Sequence, residues 1–139
     1  LSRSIAERIN AAHQSGKTAV IFTSRVEKSF ATQAQRLAFG SLVSDFLMDI
    51  VRTLPESIGF LISQGGITPN DVLSKGLDLR TPRVLGQILP GCSVVRCPST
   101  HSRYPELPVV IFPGNVGDDD ALAQACKRLT SGEGAAQTA

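Results

Sequence analysis

The stretch Gly59-Phe60-Leu61-Ile62-Ser63-Gln64-Gly65-Gly66-Ile67-Thr68-Pro69 decides how the rest of the sequence reads. Phe60 to Ile62 is a short apolar run of the kind a buried strand carries, and it stops at a double glycine. Thr68 has the chemistry of a helix N-cap, Pro69 suits the first helical turn, and Asp71 completes a Thr-x-x-Asp capping pattern. Strand, glycine turn and helix start together present backbone N–H groups to an anion, often a phosphate. Adjacent glycines permit positive φ and let a ligand approach with no Cβ in the way. The same residues also suit a plain tight connection before a capped helix, so the short motif alone assigns no ligand.

Upstream, Ile5, Ala6, Ile9 and Ala12 recur at helical spacing and predict a helix over 2–14 ending near Gly16. Ser15-Gly16-Lys17-Thr18 imitates the tail of a phosphate-binding P-loop. Ala11 stands where that motif needs a glycine, and here the helix comes before the strand instead of after it. Ala19-Val20-Ile21-Phe22 predicts a strand running into Thr23-Ser24-Arg25. Ligands of open α/β sheets collect at the carboxyl ends of strands, which makes Ser24 and Arg25 candidates for polar contacts. Residues 31–54 carry the longest apolar stripe, through Ala34, Leu37, Ala38, Leu42, Phe46, Ile50 and Leu54, and predict a core scaffold helix stopped by Pro55. Gly40 within it predicts close packing or a bend.

Downstream, a helix over about 69–75 is expected to stop at Gly76. Arg83–Leu89 and Ser93–Cys97 flank Pro90-Gly91, whose order suits a type II turn, so a hairpin is predicted. Pro98–Pro108, with His101, Arg103 and Tyr104, reads as a solvated connection, the alternative being a mobile lid. Val109-Val110-Ile111-Phe112 predicts another apolar strand, leading into a second glycine-rich turn, Pro113-Gly114-Asn115-Val116-Gly117. Asp118-Asp119-Asp120 then opens a helix to about Leu129, good capping but repulsive to a phosphate placed there. Contacts to a nucleotide would come from Gly114 and Asn115, ahead of the acids. Ser131–Ala139 is small and polar and is expected to be a disordered tail.

Length and composition set the frame. The 139 residues suit one domain, and 42% hydrophobic with 19% charged residues is ordinary globular composition. A net charge of +2 argues for neither nucleic acid nor an anionic membrane surface. No apolar run approaches the ~20 residues that span a bilayer. Three cysteines, Cys92, Cys97 and Cys126, match no zinc spacing and fit reduced structural thiols in a cytoplasmic protein. The first residue is Leu1 and helical pattern starts at Ser2, so an excerpt of a longer polypeptide is expected. The expected fold class is α/β, a single domain with a mixed sheet of about five strands flanked by helices.

The order of these pieces resembles the C-terminal nucleotide-binding domain of the four-carbon acid sugar kinase family. Gln64-Gly65-Gly66-Ile67-Thr68, Val84-Leu85-Gly86-Gln87-Ile88-Leu89-Pro90-Gly91 and Phe112-Pro113-Gly114-Asn115-Val116-Gly117-Asp118 carry the resemblance, which runs from about Ala19 to Leu129. It implies that residues 1–139 are the nucleotide domain of a two-domain kinase using ATP, with Mg²⁺ accompanying the nucleotide. The acceptor would be a tetronate-type acid such as threonate, erythronate or 3-oxo-tetronate, held by an N-terminal domain absent from this sequence. Implied nucleotide contacts are Ser24, Gly65, Gly66, Ile67, Thr68, Gly114 and Asn115. Members often have an acidic residue after the double glycine, and Ile67 departs from that. No residue matches a catalytic base or a protein metal ligand, and homo-oligomerisation is left open. The alternative is a non-catalytic α/β module for assembly or anion binding. A dinucleotide-binding oxidoreductase is disfavoured, because no strand here leads into Gly-x-Gly-x-x-Gly.

Overall fold

A computed structural model describes residues 1–131. The expected tail beyond Ser131 lies outside the described residues. The chain divides into two compact units, Leu1–Pro55 and the remainder from Glu56.

The first unit is helical. Helix α1 (Ser2–Gln14) forms where the spacing predicts it. It closes with Gly16 at φ +69°, while Lys17 donates its N–H to the Ala12 carbonyl at 2.9 Å, a glycine-terminated end. Helix α2 (Gln33–Arg52) starts at Thr32, whose hydroxyl accepts the Gln35 N–H at 3.2 Å. Only its C-terminal half carries the stripe inward, through Met48, Ile50 and Val51, with Leu54 buried just beyond. Leu37 and Leu42 are each 65% exposed, so the expected full-length scaffold role is corrected. A Cβ on Gly40 would meet nothing within 4 Å, so no close packing calls for glycine there.

Ala19–Phe22 is also corrected. It forms no strand, and Phe22 is 79% exposed. An apolar, β-branched run has the composition of a strand but becomes one only when a neighbour takes its backbone groups into a ladder. Among the described residues none does.

The second unit is the α/β fold expected, with a mixed sheet of four strands among the described residues where about five were expected. The strands are β1 (Leu61–Gln64), β2 (Arg83–Leu89), β3 (Cys92–Arg96) and β4 (Pro108–Phe112). Their spatial order is β1-β4-β3-β2, with β1 parallel to β4 and the other neighbours antiparallel. β2 and β3 are the predicted hairpin, and Gly91 holds the φ of +81° that the Pro-Gly turn requires. The ladder slips between Val84 and Gly86, a bulge the sequence pattern does not announce.

Side chains alternate across the sheet, so Val110 and Phe112 share one face and Val109 and Ile111 the other. On the first face Ile88, Leu89, Cys92, Val94, Val110 and Phe112 form the core with Ala121 and Ala125. Those alanines come from helix α4 (Ala121–Ser131). Their small side chains bring the helix close to the strands, and Arg128 clamps it by donating to the Ile88 carbonyl. Val95, Val109 and Cys97, which are not part of that cluster, are buried too. Burial pushes the Cys97 thiol up to about 11, with a backbone hydrogen bond pulling the other way.

Between β1 and β2 the expected helix is one α turn, α3 (Thr68–Asp71), widening into a π turn over Val72–Gly76. Leu77 closes the π turn by donating its N–H to the Val72 carbonyl at 2.8 Å. Residues 98–107 are not a free solvated loop. His101 Nδ1 accepts the N–H groups of Tyr104 at 2.9 Å and Arg103 at 3.2 Å. The proton is therefore on Nε2, which donates to the Leu77 carbonyl at 2.7 Å. Tyr104, 2% exposed, and Leu107 are buried beneath this knot.

Candidate functional site: two glycine turns on parallel strands

Because β1 and β4 run parallel with Gln64 opposite Phe112, both strands end at the same edge of the sheet. Each then enters a glycine turn, Gly65-Gly66 after β1 and Pro113-Gly114 after β4. A Cβ on Gly114 would lie 3.6 Å from the Cα of Gly65 and 4.0 Å from the Gly66 nitrogen. The two turns thus lie side by side, so close that a single added Cβ on Gly114 would touch the backbone of the other. This edge holds the carboxyl ends of parallel strands, where ligands of α/β sheets collect.

The glycines differ in role. Gly65 takes φ +141°, and a Cβ there would press to 3.2 Å from the Thr68 hydroxyl oxygen. Gly66 has no such φ, and a Cβ on it would meet nothing within 4 Å. It is therefore Gly65 that the backbone needs and Gly66 that faces open space. Among the described residues, the N–H groups of Gly66, Ile67, Gly114 and Asn115 donate to no protein acceptor. Gly66, Ile67, Gly114 and Asn115 are all exposed and Thr68 is half-buried.

The expected cap on Thr68 is not made. Ile67 is the N-cap, in the α region and without a side-chain hydrogen bond. Asp71, three residues after Thr68, is instead paired with Lys75 at 3.2 Å. Since α3 is a single turn, it supplies little macrodipole, and the site rests on the N–H groups of the turns.

Six of the seven implied contacts lie on or beside this pair of turns: Gly65, Gly66, Ile67, Thr68, Gly114 and Asn115. Ser24 belongs to the helical unit, where its hydroxyl accepts the Val26 N–H at 3.2 Å. The acidic triplet follows the second turn and precedes α4. Asp118 uses one carboxylate oxygen to accept the Asp120 N–H at 3.1 Å, and its carbonyl accepts the Ala121 N–H at 3.2 Å.

Ser63 is a polar residue that motif reading does not single out. It sits in β1 two residues before Gly65, is 6% exposed, and its hydroxyl has no protein partner among the described residues. The signal in the sequence is a serine following an otherwise apolar run.

A family model described as nucleotide-binding C-terminal domain matches residues 1–122, and the chain belongs to that family. Comparison with curated proteins and with solved structures returned no match.

Proposed function

Proceeding from membership of that family, we propose that this chain is the ATP-binding part of a kinase acting on a four-carbon sugar acid. The acceptor class is threonate, erythronate or 3-oxo-tetronate. The observation that supports nucleotide binding here is the close approach of Gly114 to Gly65, which sets two turns rich in N–H donors side by side at one sheet edge. Charged phosphate oxygens make stronger hydrogen bonds to such donors than neutral acceptors do. The open space at Gly66 admits a phosphate to the backbone.

Phosphoryl transfer is mainly positioning plus stabilisation of charge on the transferred group. In this reading Gly66, Ile67, Gly114 and Asn115 fix the phosphates through their N–H groups. The Thr68 hydroxyl and Asn115 amide add side-chain donors. The groups that bind the sugar acid and activate its hydroxyl belong to a partner domain.

The test is titration of ATP and adenosine into the wild type and Gly66→Ala, followed by amide NMR. If phosphates lie over the turns, the added methyl weakens ATP at least about tenfold, 1.4 kcal/mol, and leaves adenosine nearly unchanged. Equal ATP affinity in both proteins would remove the turns from the site.

A second reading, an assembly module, has its own observation. Val20, Phe22, Val26, Leu37 and Leu42 of the helical unit are exposed, and apolar surface of this kind often marks an interaction face. Light scattering coupled to gel filtration decides whether the chain associates through it.

A further inference from the structure

The N-terminal half of α2 stands in solvent. Every residue from Gln33 to Leu42 is exposed, the apolar Leu37 and Leu42 among them. A helical segment that short has little stability of its own in water, and an apolar helix face is normally packed. At about 100° per residue, Ala34, Leu37, Ala38, Ser41, Leu42 and Asp45 fall on one stripe, spaced i, i+3, i+4, i+7, i+8 and i+11. Phe39 points from another side of the helix. There the Phe30 ring lies 5.2 Å from its centroid and the Lys28 ammonium 4.7 Å.

The stripe reads the same in both directions. Leu37-Ala38-Phe39-Gly40-Ser41-Leu42 runs leucine, small residue, two residues off the stripe, small residue, leucine. Laid antiparallel on a copy of itself, about a two-fold axis between Phe39 and Gly40, it sets Leu37 opposite Leu42 and Ala38 opposite Ser41. Each pair then occurs twice, the reciprocity that a two-fold contact requires. The small pairs let the two helix axes come close, and the leucine pairs flank them. The same register sets Asp45 opposite Ala34, in the first turn of the other helix. That turn holds no acidic residue of its own, so the carboxylate meets an unbalanced positive helix end.

We infer that this chain pairs with a second copy of itself through this stripe, helix against antiparallel helix. The inference does not rest on the nucleotide reading, and it narrows the assembly reading to one face and one partner. So short a helix pair buries less than a standard interface, which makes the dimer weak and concentration-dependent.

Sedimentation equilibrium of the whole chain, up to about 1 mM, measures the pairing. A dimer fraction that rises with concentration is expected, and a monomer throughout overturns the inference. Leu37→Lys and Leu42→Glu keep good helix formers at exposed positions, and circular dichroism checks that each variant is folded. Each should weaken the dimer at least about tenfold. The double variant sets opposite charges against each other at both reciprocal contacts, so it should associate more tightly than either single variant. Single variants that associate like the wild type, or a double variant no tighter than the singles, overturn the inference. Phe22→Ser, outside the stripe, should leave the dimer unchanged. Association that Phe22→Ser abolishes and the leucine variants spare would keep the assembly reading and overturn this one.

Discussion

Gly65 donates its backbone N–H to the Phe112 carbonyl at 3.0 Å, carrying the parallel β1–β4 ladder one residue past Gln64 and into the first glycine turn. That bond is why the two turns lie side by side. With Gly65 held to the end of β4, the turn that leaves β4 through Gly114 emerges beside it. The geometry of the proposed site is a consequence of strand pairing, and single changes separate the two.

Gly117→Ala should be far more damaging than Gly66→Ala. Gly117 has φ +86°, and an added Cβ would fall 2.5 Å from the Ala121 Cβ and 3.4 Å from the Phe112 ring. Left-handed strain and overpacking together predict a loss of about 3 kcal/mol. Gly66→Ala, in open space, should stay within about 0.5 kcal/mol. Urea unfolding followed by circular dichroism measures both, and comparable losses would contradict the assignment of roles to the glycines.

His101→Ala leaves the N–H groups of Arg103 and Tyr104 and the carbonyl of Leu77 without their imidazole partner. The expected cost is about 2–3 kcal/mol. Amide exchange at Tyr104 should accelerate well beyond the global change. Unaltered exchange there would mean that the knot does not hold the loop.

Alkali should destabilise the protein through its buried thiols and phenol. Burial raises the Cys97 thiol to about 11 and moves Cys92 and Tyr104 in the same direction. Each folded group keeps a proton that the unfolded chain releases sooner, so their contribution is complete below about pH 9, the ordinary thiol value. It is lost as pH rises through the folded values, for Cys97 between about pH 9 and pH 11. Denaturant midpoints from pH 8 to pH 10.5 should fall, with a shallower slope in Cys97→Ala. An equal slope in that variant would remove Cys97 from the effect.

Phe22→Ser tests whether Ala19–Phe22 lies outside the core. At 79% exposure the change should alter stability by no more than about 0.5 kcal/mol. A loss of 2 kcal/mol or more, of the size that core truncation produces, would return this run to a buried strand.

Alone, the chain should bind ATP at about millimolar strength, roughly −4 kcal/mol, because in the proposed kinase one wall of the cleft is elsewhere. It should transfer no phosphoryl group to a tetronate. Turnover measured by a coupled assay on this chain would refute the two-domain proposal.

The local features were the ones readable in the sequence. Pro90-Gly91 specifies its own turn through two adjacent dihedrals, and the hairpin follows. The glycine turns were visible as motifs, but their close approach was not, since it depends on β1 pairing with a strand distant in the chain. Ala19–Phe22 misleads for the same reason: composition makes it strand-like, and only a neighbour could make it a strand. Thr68 looks like a cap, yet its hydroxyl oxygen lies where a Cβ on Gly65 would press, and Ile67 takes the N-cap position instead. His101 gave no signal, because one imidazole joining three backbone groups needs the fold to gather them.

The wide turn at Val72–Gly76 couples chain length to residue identity. Leu77 reaches back five residues to Val72, one more than an α-helix allows. Deleting any one residue there would let the turn close as ordinary helix and swing all that follows by about 100° around its axis. The Leu77 carbonyl would then leave the imidazole that holds residues 98–107. In related chains, a one-residue gap at this turn and the loss of histidine at position 101 should therefore appear together.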